Sequence, residues 1–127
     1  MAKWVHSDVL DNGLNAIKTG ATKMLLVSAY AAGDSYATVQ ANKLAEVTMA
    51  NGDYTLASIG NNRQLTTAAG KSAVASASAG GTPDLHIAFT DGAAKVLYVT
   101  DEVSNQPITS GNPVNFPQLT YTSNQPT

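Results

Sequence analysis

The chain has no cysteine, which excludes disulfides, thiolate metal sites and thiol nucleophiles and leaves the redox compartment open. Charge is scarce too: Asp, Glu, Lys and Arg make up 13% of the sequence, against about 25% in an ordinary globular domain. The net charge is −2, and the seven basic residues, Lys3, Lys18, Lys23, Lys43, Arg63, Lys71 and Lys95, are scattered singly along the chain. A phosphate-binding face needs clustered cations whose counterion release drives association. Nucleic acid is therefore not an expected partner. A membrane is not expected either, because the apolar run Met24–Val27 is far too short to span a bilayer. With no charged segment leading into an apolar stretch and a cleavage site, the sequence reads as soluble and unprocessed. Also missing are a Gly-x-Ser-x-Gly elbow, a His-Glu-x-x-His pair, a phosphate loop and a dinucleotide glycine pattern.

What the 127 residues do hold is a large share of Ser, Thr, Asn, Gln and Ala. A surface poor in charge is cheap to desolvate, as suits a chain packed against copies of itself or a partner. Polar, hydroxyl-rich surfaces are also common in all-β proteins, and composition does not choose between these readings. The length fits a single domain, residues 1–127, able to bury a sizeable core without a staple.

Periodicity divides the domain into parts. Leu10, Leu14 and Ile17 share one face of a helix that Ser7 could cap and Gly20 could stop. Gly13 inside it costs about 1 kcal/mol relative to Ala, so the helix is expected to dock rather than stand alone. The arm and helix occupy residues 1–20, and β-structure occupies 22–123. Thr22–Tyr30 reads as a strand buried on both faces. Ala31–Asn42 reads as a loop.

From Leu44 the period is two. Leu44–Met49 and Asp53–Ile59 flank Asn51-Gly52, a pair suited to a tight hairpin turn, and Arg63–Ala68 follows Asn61-Asn62 as a further strand. In Ser72–Ala79 alanines take every odd position, which gives a strand with one thin face that another backbone can approach closely. The strongest local signal is a hairpin of Asp84–Thr90 and Ala93–Thr100 about Asp91-Gly92. A two-residue loop pairs Phe89 with Ala94, Ile87 with Val96 and Leu85 with Tyr98, all on one face. Asp101–Pro117 holds at most a short strand near Pro107–Thr109, since prolines cannot donate to a ladder interior. Gln118–Ser123 is a last strand, with Leu119 and Tyr121 on one side, and residues 124–127 are expected to be loose. About eight short strands and one helix point to a mostly β fold, a jelly-roll-like β-sandwich.

Chemistry has few candidates. His86 alternates away from the apolar face of the strong hairpin beside Asp84, an arrangement that a half-exposed strand histidine shares with a general base. His6 adjoins Trp4 ahead of the helix. Asp8 and Asp11, or Asp101-Glu102, lack the alternating oxygen ligands of a calcium loop, and Asp8 is explained by the helix dipole. No catalytic residue, metal or cofactor is expected. Trp4 and Tyr36 are aromatics that no local element obliges to be buried, which makes them candidate anchors for a partner.

Three segments carry a family resemblance: residues 1–15, MAKWVHSDVLDNGLN; residues 23–30, KMLLVSAY, with Gly33-Asp34-Ser35-Tyr36; and residues 99–117, VTDEVSNQPITSGNPVNFP. With these the chain resembles the small capsid cement, or decoration, proteins that stabilise the heads of tailed bacteriophages. The resemblance implies a structural virion protein rather than an enzyme. It implies a jelly-roll-like subunit, a homodimer or a trimer, seated on the outer capsid surface and bridging major capsid protein subunits. On that reading Trp4, Val5 and His6 of the arm, Tyr36, and Pro107, Pro113 and Phe116 of the Pro-rich segment are the expected partner contacts. A carbohydrate-binding or host-attachment module of a virion is the rival reading, and a small hydrolase built on His86 is a more distant one.

Overall fold

The computed structural model describes residues 3–102 and 105–126. Val103 and Ser104 of the Pro-rich stretch, Met1 and Ala2 of the arm, and Thr127 of the tail lie outside the described residues. The fold is mostly β: the described residues form nine strands in three antiparallel sheets and one main helix.

Helix α1, Ser7–Gly20, buries Leu10, Leu14 and Ile17, the residues that share its apolar face. Its cap is His6 rather than Ser7: the Asp8 N–H donates to His6 Nδ1 over 3.1 Å, and His6 holds the extended backbone of a cap position. Strand β1, Lys23–Val27, is buried on both faces from Met24 onward. A short helix α2, Tyr36–Ala41, then occupies part of the expected loop, capped by Ser35, whose hydroxyl accepts from the Thr38 N–H.

Strand β2, Lys43–Thr48, turns back and pairs with β1. The expected hairpin about Asn51-Gly52 does not form. Asn51–Asp53 make a 3-10 turn, Gly52 has no positive φ, and β3, Tyr54–Ile59, enters a different sheet. Two sets of polar contacts hold this crossing. Asp53 accepts from the Ala50 N–H at 2.7 Å, and Lys18 of α1 donates to the carbonyls of Asn51 and Tyr54. A local turn propensity is outweighed by contacts from a helix more than thirty residues earlier in the chain.

The tight turn falls one hairpin later. β3 pairs with β4, Asn62–Thr67, across Gly60-Asn61, where Gly60 takes φ +61°, a conformation that glycine adopts at little cost. Of the strand expected over Ser72–Ala79 only β5, Ser72–Val74, forms, and it pairs with β8, Pro113–Asn115; the strand expected near Pro107–Thr109 is reduced to a bridge between Ile108 and Ala79. In the alanine stretch Ala75 is buried and Ala73, Ala77 and Ala79 pack on the core. Along its edges the N–H groups of Ala75, Ser76 and Ala79 donate to the carbonyls of Asn112, Leu44 and Ile108.

β6, His86–Thr90, and β7, Val96–Asp101, form the expected hairpin in a different register. Phe89 faces Tyr98 and Ile87 faces Thr100, with a bulge between Phe89 and Thr90. Asp91 accounts for the shift. Its Oδ1 accepts from the N–H groups of Ala93, Ala94 and Lys95 at 2.8–2.9 Å, so the loop takes up five residues rather than two. Val96 consequently leaves the face of Phe89 and joins that of Ala88. β9, Thr120–Ser123, pairs with β4.

The four-stranded sheet runs β2-β1-β6-β7, the three-stranded sheet β3-β4-β9, and β5-β8 is a separate ribbon. One face of the four-stranded sheet supplies Met24, Leu26, Ile87 and Phe89 to the larger core, where they meet Leu14 and Ile17 of α1, Tyr54, Leu65 and Phe116. The opposite face, Leu25, Val27 and Ala88, is covered by Val39 of α2. Both faces of β1 and β6 are thus dry, as their continuous burial requires.

Candidate functional site

The expected contact residues fall into three places. Trp4, Val5 and His6 lie together beside the β3–β4 turn. Gln125 holds them there. Its Oε1 accepts from the Val5 N–H at 2.9 Å, its Nε2 donates to the carbonyls of Val5 and Asn61, and its own N–H donates to Asn62 Oδ1. One amide side chain therefore ties the arm to the turn. The tail was expected to be loose and is anchored at this residue. Trp4, next to the clamped Val5, is 65% exposed, and Ile59, paired with Asn62 in the same turn, is 48% exposed. Arg63 stiffens the neighbouring strand by an ion pair to Asp11 of α1 at 2.7 Å.

Pro107, Pro113 and Phe116 belong to a second place, a cleft of about 190 Å3 between the four-stranded sheet and the β5–β8 ribbon. Leu26, Leu85, Ile87 and Val114 line it, Pro113 stands at its edge, and Glu102, Gln106 and Asn115 supply polar groups. Pro107 is exposed nearby. Phe116 is a core residue at 4% exposure, so it lines this cleft and offers no protruding contact. Small-molecule sites commonly measure about 300–1,000 Å3, and the cleft is smaller than these.

Tyr36 stands apart from both. It begins α2, partly buried, and its hydroxyl accepts from Gln40 Nε2 at 3.2 Å. Tyr121 is 43% exposed, though its ring lies 4.9 Å from that of Tyr98.

His86 sits on the α2-covered face of its sheet, with its ring 5.9 Å from that of Tyr30. The shifted register places Asp101 directly across from it, and Asp101 Oδ1 is 3.6 Å from His86 Nε2. Sequence spacing pointed to Asp84 alone as its neighbour. The signal for Asp101 was present in Asp91, an acceptor followed by small residues whose N–H groups could fold back on it. No serine, threonine or lysine stands in contact with the imidazole among the described hydrogen bonds and ion pairs.

Neither a protein-family model, nor a curated protein, nor a solved structure matches this chain.

Proposed function

We propose that this chain is a structural virion protein that binds the outer surface of a phage capsid and stabilises it by bridging major capsid protein subunits. One observation carries the reading: an exposed Trp4 is held at a defined place by the Gln125 clamp on Val5. Tryptophan is among the residues that dominate interface hot spots. An arm ordered before binding loses little conformational entropy when it docks.

The family resemblance of segments 1–15, 23–30 with 33–36, and 99–117 supports the same reading, as does the low charge of the chain. On this reading the subunit is a jelly-roll-like sandwich, which the core shared by Met24, Leu26, Ile87 and Phe89 of one sheet with Tyr54 and Leu65 of another supports. It acts as a homodimer or trimer and does no catalysis. On a repeating lattice, modest contacts at several points combine through high effective concentration into a stable clamp.

Adding the purified protein to capsids that lack it tests the proposal. Stoichiometric uptake on the outer surface, seen by cryo-electron microscopy, together with raised resistance to heat, is the expected result. Failure to bind, or absence from the outside of purified particles, rejects it. Saturable binding on a glycan array in place of capsid binding would transfer the assignment to carbohydrate recognition, for which the exposed Tyr121 beside Tyr98 offers an aromatic surface.

A further inference from the structure

We propose that Asp84, His86 and Asp101 form a binding site for a divalent transition-metal ion, Zn2+ in the first instance, at the open end of the β6–β7 hairpin. One ligand atom from each of the three residues lies within 4.8 Å of the other two. They converge for topological reasons. Asp84 and His86 alternate onto one side of the chain entering β6, and the register of the hairpin brings Asp101 opposite His86.

The imidazole is set up as a ligand. His86 Nδ1 lies 3.0 Å from the Asp84 carbonyl oxygen, so an Nδ1–H donates there, and in the neutral ring the lone pair available to a metal is the one on Nε2. A backbone carbonyl that receives the second ring N–H is the usual outer partner of a metal-bound histidine, fixing both tautomer and ring orientation. Packing against Tyr30 holds the ring further. The His86 side chain is 14% exposed, whereas that of Asp101 is 71% exposed, so an ion can arrive from solvent with its carboxylate ligand free to adjust.

Distance separates this arrangement from a simple hydrogen bond. The 3.6 Å from Nε2 to Asp101 Oδ1 is too long for one. Two ligands each about 2.05 Å from a tetrahedral zinc ion stand about 3.3 Å apart, and a small movement of an exposed carboxylate closes the difference. One imidazole nitrogen and two carboxylates suit zinc or its first-row neighbours, whereas calcium takes six to eight oxygen ligands. Three protein ligands leave a fourth position open to water or to a side chain from a neighbouring molecule.

The test titrates ZnCl2 into chelator-treated full-length protein, followed by calorimetry and by the 15N-detected imidazole signals of His86. The expected result is saturable binding of one ion per chain, a shift of the His86 Nε2 resonance, and a raised melting temperature. D84N and D101N, both at exposed residues and so without cost to the core, weaken binding at least tenfold, and H86Q abolishes it. H6A leaves it unchanged, and CaCl2 does not compete. Silence of the His86 signals at millimolar zinc, or undiminished binding by D101N and H86Q, overturns the assignment. Neither outcome touches the capsid-binding proposal, which rests on other residues.

Discussion

Tyr54 is the residue at which the second sheet is tied to the end of α1. Its ring is 2% exposed and packs near Phe89, and its hydroxyl donates to the Ala21 carbonyl at 2.9 Å. Burial, and then the nearby Asp53 carboxylate, push its phenol well above the ordinary range, so the donor stays protonated. Removing it in Y54F strands a buried carbonyl, which costs about 1–3 kcal/mol; urea unfolding should show that loss. Asp91 acts through its charge. The N–H groups of Lys95, Ala94 and Ala93 hold its carboxyl down at about 2, below the usual carboxylate value of about 3.9. Its contribution is complete above the unfolded value and disappears as the pH falls through the folded one. The melting-temperature gap between wild type and D91A is therefore expected to be full at pH 5 and to close as the pH approaches 2. Asp53, lowered by the Ala50 N–H and then by Lys71, shifts acid stability in the same direction but is common to both proteins and cancels in the gap.

At the scale of elements, patterns that concern one segment and its own burial were legible in the sequence. The buried face of α1, the two-sided burial of β1 and the alanine face of 73–79 all appear where periodicity put them. Relations between segments were not. Asn51-Gly52 carried a hairpin signal, yet Lys18 and Asp53 direct that stretch across to another sheet. In the β6–β7 hairpin the two strands were legible, and three hydrogen bonds to one carboxylate changed their register. This also decided the candidate metal cluster, since the expected two-residue loop would have left Asp101 well away from His86. Of the expected contact residues, Trp4 is singled out by its lack of an obliging element, while Gln125, which clamps the arm, had no local signal at all. Q125A should leave the melting temperature of the core nearly unchanged, speed hydrogen exchange at Val5 and expose the arm to proteolysis. Unchanged protection at Val5 would mean that the clamp does not order the arm.

The whole molecule combines a core covered on both faces of its main sheet with an exterior of few charges, many of them paired locally. Arg63 with Asp11, Lys71 with Asp53 and Lys43 with Glu46 each bring opposite charges within 4 Å, which leaves little long-range field to steer charged ligands. No helix among the described residues is long and apolar enough to cross a membrane. The proposed capsid contact would then draw on apolar and polar groups, with Trp4 the most exposed large hydrophobic among the described residues. In the capsid-addition experiment W4A is expected to weaken binding by about 2 kcal/mol or more, roughly thirtyfold, the size of a hot-spot loss. Its circular dichroism and melting temperature should match wild type, because an exposed side chain carries little of the fold.

By itself the sequence determined a mostly β chain with a docked N-terminal helix, the buried residues of α1 and β1 and the apolar face of β6, and the absence of thiol chemistry, because each follows from the period or composition of a single stretch. Beyond the pairing of β6 with β7, only the tertiary structure decided which strands pair, and it decided every register and which distant side chains meet: Gln125 with Val5, Lys18 with the Asn51 carbonyl, His86 with Asp101. The physical reason is that burial repeats along the chain and can be read locally. A hydrogen bond or a shared ligand position depends on distances between segments, which are set when the sheets and helix pack.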